Sequence, residues 1–185
     1  MYADGGLARR RIPLGLIRGA AMQTLPFPSP VLQLRAAQPE DEPFLFRLFA
    51  ASQTQLDGLR TQPDLWQTLV AMQYRGRQMT YAARYPMAEN FLLLDRDGNS
   101  VGRVLLNRQP GCWSIVDIDI LCAHRGQGIG TAVLRHWQQQ AAQAGVSLAL
   151  QVNAANPARR LYERCGFKVN AEDLLDATLT WNSQT

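Results

Sequence analysis

The feature that most constrains this chain is a glycine-rich turn between a strand and a helix in its second half. Residues 115–121 are rich in β-branched side chains and predict a β-strand. Gly126, Gly128 and Gly130 follow it at every second position. A turn of this kind leaves backbone N–H groups free at the positive end of a helix dipole, so it predicts a site for a phosphate or diphosphate. The helix after it has apolar residues three and four positions apart: Ile129, Val133, Leu134, Trp137 and Ala141.

The spacing of the glycines separates the kinds of loop that bind phosphates. A P-loop requires Gly-Lys-Ser/Thr, and here Gly130 is followed directly by Thr131 without a lysine. A dinucleotide-binding turn requires G-x-G-x-x-G, and here the third glycine comes one residue too early. Neither loop fits this chain.

Two motifs do match a known family. Arg125-x-x-Gly128-x-Gly130 resembles the R/Q-x-x-G-x-G/A loop with which the GNAT N-acetyltransferase superfamily binds acyl-CoA. Residues 156–167, Asn-Pro-Ala-Arg-Arg-Leu-Tyr-Glu-Arg-Cys-Gly-Phe, look like that superfamily's second signature, N-x-x-A/R-x-x-L-Y-x-x-x-G-F. The two motifs in this order and at this separation are far more specific than the loop alone.

The resemblance covers about residues 31–181 and implies the fold of that superfamily. This is an α/β fold, with a mixed, mostly antiparallel sheet of about seven strands flanked by helices. The pattern of the chain agrees with its element order, β-α-α-β-β-β-α-β-α-β-β. We expect residues 1–30, which hold an arginine triplet and three closely spaced prolines, to be a loosely ordered extension, and residues 31–185 to be one domain. A targeting segment is the alternative interpretation of the extension.

The first half of the domain is predicted to hold one strand and two helices. Residues 31–36 alternate as a strand, and acidic residues before Pro43 mark the start of a helix with Leu45, Leu48 and Phe49 on its buried stripe. A second helix starts near Pro63 and either breaks at Gly76 or continues to Tyr85. It has one apolar face, made of Leu65, Leu69 and Met72.

The second half is predicted to hold mainly strands. Residues 91–94 indicate a strand buried on both faces, Asp97-Gly98 a hairpin turn, and residues 101–106 the returning strand. Pro110-Gly111 indicates the next turn. After the loop helix we expect strands at residues 147–152, 167–169 and 175–181. The short helix between the first two would have Asn156 as its N-cap, Pro157 at its first position and Gly166 just past its end.

The resemblance also implies how acetyl-CoA would bind. Main-chain groups of Ile120, Leu121 and Cys122 would pair with the pantetheine arm where two neighbouring strands separate, and one N–H could polarise the thioester carbonyl. In the family, the asparagine that matches Asn156 also contacts the cofactor. The diphosphate would lie on the backbone N–H groups of Arg125, Gly126, Gln127, Gly128, Ile129, Gly130 and Thr131.

Two residues are candidates for proton transfer. Tyr162 matches the family's tyrosine that acts as general acid toward the departing thiolate, and a phenol holds its proton at neutral pH. Asp117 and Asp119 lie on one face of the central strand, where a carboxylate is costly unless it faces a cleft or a partner. We assign Asp119 as a general base acting through water. The alternative is a structural carboxylate that pairs with an arginine or caps a loop.

The composition of the chain limits the classes of partner that the protein can bind. Residues 1–24 hold four of the 19 basic residues but one of the 15 acidic ones, so the rest of the chain is close to neutral and nucleic acid is not expected to bind. No apolar run is long enough to cross a membrane. Three cysteines without C-x-x-C spacing argue against a metal or disulfide framework and favour a cytoplasmic protein, with Cys165 as a small buried hydrophobe.

The sequence therefore predicts an acetyl-CoA-dependent N-acetyltransferase that needs no metal. Its acceptor would be a primary amine, on a small molecule or a peptide, that attacks directly in a ternary complex. A homodimer is compatible with the family. One alternative is a sensor or partner-binding module that binds acyl-CoA without turnover, and retention of Tyr162 argues against it. A nucleotide-binding protein is the other.

Overall fold

The computed structural model describes residues 23–24, 33–153 and 156–183. Within these ranges the chain forms one mixed sheet of eight strands and four α-helices. The strands are β1 (Gln23–Thr24), β2 (Gln33–Ala36), β3 (Glu89–Leu94), β4 (Ser100–Gln109), β5 (Cys112–Ile120), β6 (Ser147–Asn153), β7 (Lys168–Glu172) and β8 (Asp176–Trp181). The α-helices are α1 (Glu42–Ser52), α2 (Pro63–Arg84), α3 (Ile129–Gln143) and α4 (Arg159–Arg164). Short 3-10 helices lie at Pro39–Asp41, Thr54–Leu59 and Cys122–His124.

The strands lie in the order β1-β2-β3-β4-β5-β6-β8-β7. In the described part of the chain, β5 and β6 are the one parallel pair, because α3 carries the chain back to the same end of the sheet between them. From β2 onward the predicted element order and the mixed, mostly antiparallel sheet are confirmed. The two residues of β1 fall within the predicted extension and pair with β2. The rest of residues 1–30 lies outside the described residues.

The sheet separates two hydrophobic cores. One core lies between the sheet and α3, and the other lies under α1 and α2. Strand β3 contributes to both, since Phe91 and Leu93 face the α3 side while Leu92 and Leu94 face the α1 and α2 side. The prediction of a strand buried on both faces is therefore confirmed.

The apolar stripes predicted for α1 and α3 are also confirmed. Leu45, Leu48 and Phe49 are buried on α1, as is Cys165 after α4. On α3, all five apolar residues that defined its pattern are buried. The largest is the indole of Trp137, which is 1% exposed and packs against Phe91 with ring centroids 5.2 Å apart.

The apolar face predicted for α2 is wrong. Leu65 is 43% exposed, Met72 is 61% exposed and Leu69 is half-buried. Instead, α2 turns Arg77 toward the sheet, where it contacts two aspartates of β5, and a pattern of apolar residues cannot reveal such a contact. The helix continues without a break through Gly76 to Arg84. The face toward the sheet carries Val70, Tyr74, Arg77 and Tyr81, at steps of four, three and four residues.

The predicted turns are confirmed, with one shift at α4. Gly98, Gly111 and Gly166 all have left-handed φ values of 80° to 87°, the conformation for which glycine is favoured. Helix α4 begins at Arg159 with Ala158 as its N-cap, so the predictions of Asn156 as the N-cap and of Pro157 at the first helical position are wrong by two residues. The Asn156 side chain still caps the turn before it, since its Oδ1 accepts a hydrogen bond from the Ala158 N–H at 2.9 Å.

None of the helices in the described ranges combines the length and the apolar character needed to cross a membrane.

Candidate active site

The central feature of the site is a split in the sheet. β5 and β6 pair over four residues each, from Cys112 with Ser147 to Ile115 with Leu150. Beyond these pairs β5 continues to Ile120 and β6 to Asn153 without pairing to each other. The two strands therefore separate toward their carboxyl ends, which is where ligands bind in parallel α/β arrangements.

The main chain of β5 offers alternate residues to this split. Directly after β5, the Leu121 N–H donates to the carbonyl of Val101 on β4 at 2.9 Å. In an antiparallel ladder, successive residues turn their main-chain groups to opposite sides. The register of β4 with β5 therefore turns the main-chain groups of Ile118 and Ile120 away from β4 and toward the split.

This alternation divides the three consecutive residues that sequence analysis assigned to the pantetheine arm. Ile120 faces the split, although its carbonyl accepts a hydrogen bond from the Arg125 Nε at 2.8 Å. Both main-chain groups of Leu121 are already bonded, because its N–H donates to Val101 and its carbonyl accepts from the His124 N–H at 2.9 Å. Its expected role toward the pantetheine arm therefore finds no support here. The Cys122 carbonyl accepts from the Arg125 N–H at 3.2 Å, and the Cys122 N–H forms no hydrogen bond to the described residues. Ile118 was missed in the sequence, where the period-two rule for strands could have identified it.

The glycine loop holds a row of unused donors. Within the described residues, no hydrogen bond uses the backbone N–H groups from Gly126 to Thr131. The first bond of α3 comes one residue later, from the Ala132 N–H to the Gly128 carbonyl at 3.0 Å. Gly126 and Gly128 have φ values of +74° and +82°, so the backbone folds in a way that side chains disfavour. Six free N–H groups at the start of a 15-residue helix are an arrangement that favours an anion.

Gly130 has a different role from the other two glycines. A Cβ atom there would lie 2.9 Å from the Leu161 Cδ2 of α4. The missing side chain therefore lets the first turn of α3 approach α4, and these two helices form the walls of a cleft beside the split.

The cleft has a volume of about 650 Å³, within the range of small-molecule sites. Leu121, Cys122 and Gln127 are predicted site residues that do not line it. Sequence analysis did not assign several other residues that line the cleft, among them Ile118, His124, Leu161 and Arg164. Ile118 lies next to Asp119 on β5. The predicted residues that line the cleft are Asp119, Ile120, Arg125, Gly126, Gly128, Ile129, Gly130, Thr131, Asn156 and Tyr162.

Tyr162 lies on α4 with its ring half-buried against Phe167, at a centroid distance of 6.2 Å. Burial raises the pKa of its hydroxyl above the usual value for a phenol, and the negative charge of Asp119 raises this pKa further. The hydroxyl forms no hydrogen bond to any of the described residues. A phenol that is protonated at neutral pH and open to a cleft can donate a proton to a bound molecule.

Asp119 belongs to a cluster of four charges on the α2 side of β5. The Arg77 guanidinium donates to the Asp119 Oδ2 at 2.7 Å and also bonds Asp117. Arg103, which is 5% exposed, lies 3.3 Å from the Asp117 Oδ2 and donates to the Asn90 Oδ1 at 2.7 Å. The negative charges of Asp117 and Asp119 are thereby compensated by arginines, as expected if Asp119 is a structural carboxylate. The Asp119 Oδ1 has no hydrogen-bond partner among the described residues.

A second cavity, of about 370 Å³, opens over the sheet beside α2. Its walls come from the last turn of α2 and from β5, β6 and β8. The side chains of Leu148, Leu150 and Val152 on β6 belong to the core under α3. The alternate residues, such as Gln151, therefore point to the opposite face and into this cavity. The cleft and the cavity thus flank the split from the two faces of the sheet.

The split sheet, the loop of free amides and the half-buried tyrosine lie together in this part of the molecule. The model of the acetyltransferase (GNAT) family matches residues 54–167, which is more than half of the chain, and the chain belongs to this family. The resemblance seen in the sequence is confirmed. A search of the curated proteins found no match to this chain.

Solved structures show the same fold at low sequence identity. The PaiA N-acetyltransferase from Thermoplasma acidophilum in complex with coenzyme A is 15% identical, with a TM-score of 0.62 over 82% of this chain and 98% of that one. An acetyltransferase from Salmonella typhimurium, which modifies the N-terminal serine of ribosomal protein L7/L12, is 19% identical, with a TM-score of 0.60 over 88% and 100%. A spermidine N-acetyltransferase chimera from Vibrio cholerae and hSSAT is 19% identical, with a TM-score of 0.56 over 82% and 95%.

Proposed function

We propose that this protein transfers an acetyl group from acetyl-CoA to a primary amine, by direct attack of the amine in a ternary complex. The observation that carries the proposal is the row of unused N–H groups from Gly126 to Thr131, next to the split and in the same cleft as Tyr162. The Thermoplasma N-acetyltransferase forms a complex with coenzyme A, and the Salmonella enzyme modifies an N-terminal serine. Both agree with the proposal.

The residues of this chain fit acetyl-CoA, which supplies an acetyl group activated as a thioester. The backbone N–H groups of the glycine loop would bind the diphosphate, with Arg125 and Asn156 beside it. The main-chain groups of Ile118 and Ile120 that face the split would pair with the pantetheine arm. An N–H aimed at the thioester oxygen stabilises the charge that develops there, typically by about 3 kcal/mol.

The transfer requires two proton movements. The amine nitrogen forms a bond to the carbonyl carbon and loses a proton, and the carbon–sulfur bond breaks with its electron pair on sulfur. Tyr162 would give its proton to this thiolate. Asp119 would accept the amine's proton through water at its open Oδ1, while Arg77 holds the other oxygen.

The test measures thiol release from acetyl-CoA over a panel of amines. Tyr162→Phe is expected to lower kcat by roughly 100-fold, because it removes the proton donor and keeps the ring. Tyr74→Phe is the matched control, since Tyr74 is a buried tyrosine of α2 whose hydroxyl accepts from the Gln78 Nε2 at 2.9 Å. Its kcat should stay within about twofold of wild type, because it lies outside both the cleft and the cavity.

Binding of CoA is measured separately by calorimetry. If CoA binds but no amine releases thiol, the protein is the non-catalytic acyl-CoA sensor. If CoA produces no heat of binding at all, the assignment of the cleft is wrong. Protection from heat by ATP or NADH and not by CoA would favour a nucleotide-binding protein.

A further inference from the structure

The cavity beside α2 carries one charge of each sign. Among the described residues that line it, Asp176 is the one carboxylate and Arg84 the one guanidinium. The Asp176 Oδ2 accepts a hydrogen bond from the Gln151 Nε2 at 3.3 Å. The Arg84 guanidinium lies over the ring of Tyr85, 5.5 Å from its centroid. In the part of the chain that the structure describes, neither residue forms an ion pair, so both charges are available to a ligand.

The other carboxylates near this face are already compensated. Asp117 and Asp119 pair with Arg77 and Arg103, which come from α2 and β4. A polyamine needs several carboxylates along its length, because each of its ammonium groups loses hydration on binding. It would find one uncompensated carboxylate here, and Arg84 would repel its other ammonium groups.

The two charges lie at places that suit a bifunctional molecule. Asp176 pairs with Asn153 at the carboxyl end of β6, beyond the last residues that β6 pairs with β5. The Asn153 carbonyl accepts from the Asn156 N–H at 2.9 Å. Asn153 lines the cavity and Asn156 lines the cleft, so this end of β6 lies beside both. Arg84 lies in the last turn of α2 and lines the same cavity.

We propose that the acceptor is a small primary amine that also carries a carboxylate, such as an amino acid, and not a polyamine. Asp176 and Gln151 bind the amino end near the split, and Arg84 binds the carboxylate. The cavity volume of about 370 Å³ fits a molecule of this size. This inference rests on the function proposed above, since it names the acceptor of that reaction.

The test compares matched acceptors that differ in one charge. L-amino acids, their carboxamides and spermidine are assayed with acetyl-CoA by thiol release. With the wild-type protein, kcat/KM should be at least about 10-fold higher for a free amino acid than for its carboxamide, because a charge-assisted hydrogen bond to Arg84 is lost. Arg84→Gln should abolish this preference by raising KM for the amino acid, with kcat and the values for the carboxamide nearly unchanged.

Arg75→Gln is the control variant, because Arg75 is an exposed arginine of the same helix that does not line the cavity. It should keep the preference. The inference is overturned if spermidine is the best acceptor, or if Arg84→Gln keeps the preference for a free carboxylate. Arg84 is exposed, so its variant is expected to fold, and equal melting temperatures would verify this.

Failure of the proposed reaction would look different. If no acceptor releases thiol, the same molecules are titrated by calorimetry into protein saturated with CoA. Tighter binding of the amino acids than of their carboxamides, lost in Arg84→Gln, supports the assignment of the cavity even then. Equal binding, or no binding of the amino acids, overturns it.

Discussion

The two faces of the split sheet are built in different ways. On the face of α3 and α4, the groups that would hold a ligand are backbone amides, whose positions depend on the left-handed conformations of Gly126 and Gly128. On the face of α2, the polar groups are side chains that come from a helix and several strands, and most of their charges compensate one another. A site made of backbone can therefore be recognised in the sequence, whereas a site made of side chains depends on how distant elements pack.

The comparison predicts that a charge substitution should affect stability most on the α2 face. Arg77→Met leaves Asp119 without its partner in a largely buried cluster. We expect the free energy of unfolding to fall by about 3 kcal/mol, because an unpaired buried charge keeps its desolvation cost. Urea unfolding measures this change.

Arg60→Met is the matched control, since Arg60 pairs with Asp57 at 2.6 Å on the surface. Its loss should be about 1 kcal/mol or less, as is usual for exposed ion pairs. Equal losses in the two variants would show that the α2 face does not depend on its buried charges. Arg77→Lys should recover part of the stability because it keeps the charge.

On the opposite face, the corresponding test removes a glycine. Gly128→Val puts a β-branched residue at a φ of +82°, which should displace the free amides at the start of α3. We expect the Kd for CoA to rise by roughly 10- to 100-fold, equivalent to about 1.4 to 2.7 kcal/mol. Calorimetry gives this value directly.

Gly98→Val serves as its control, because Gly98 has nearly the same φ of +81° in the hairpin between β3 and β4. Both variants carry a similar backbone strain of about 1–3 kcal/mol. Only the loop variant should lose affinity for CoA. Similar affinities in the two variants would contradict the role of the loop amides.

Asp119 and Tyr162 connect the two faces and can be tested through pH. The pKa of Tyr162 is raised by burial and by the charge of Asp119, so a proton donor at this position stays active up to alkaline pH. Above that pKa the phenol is ionised, and kcat falls. Asp119→Asn removes the proposed base, so kcat should fall at every pH. It also removes one cause of the raised pKa of Tyr162, so the alkaline limb of the remaining activity should move to lower pH, by less than about one unit. An unchanged limb would mean that the two groups do not interact.

The smallest expected effect concerns the charges before α1. Arg35 holds the pKa of Asp41 below its usual value through hydrogen bonds of 2.6 and 2.7 Å, so folding favours the ionised carboxylate. The stability gained is present above the pKa of the unfolded state, about 3.9, and is lost as pH falls through the lower pKa of the folded state. Asp41→Asn should remove this dependence, which is worth less than about 1 kcal/mol. Urea midpoints of wild type and Asp41→Asn, measured at pH 5 and pH 2.5, would detect this dependence. An equal change in midpoint between the two pH values in both proteins would contradict it.

The sequence was sufficient to predict most of the fold because its signals were local. The five apolar residues of α3, the strand buried on both faces at 91–94 and the turns at Gly98, Gly111 and Gly166 all depend on neighbouring residues, and all are confirmed. The orientation of α2 could not be predicted in this way. Arg77 points inward to meet aspartates 40 and 42 residues away, and a pattern of apolar residues treats an arginine as exposed.

The same distinction applies to the site. The loop of free amides follows from the spacing of three glycines and was visible in the sequence. The role of Leu121 toward the pantetheine arm was implied by the family resemblance and stays a prediction. Its bonds to Val101 and His124 depend on the folded chain and were not visible in the sequence. The cavity with Asp176 and Arg84 could not be predicted, because its walls come from α2, β5, β6 and β8, which meet only in the folded protein.

The short parallel pairing of β5 with β6 has a consequence for the mechanics of the sheet. One blade consists of β6, β8 and β7, and it joins the other five strands along a ladder of four residue pairs. A molecule lying in the gap would bridge both blades and lengthen that ladder. Its arrival should therefore slow hydrogen–deuterium exchange of the amides on both sides of the gap together, and bind the two blades into a single rigid unit.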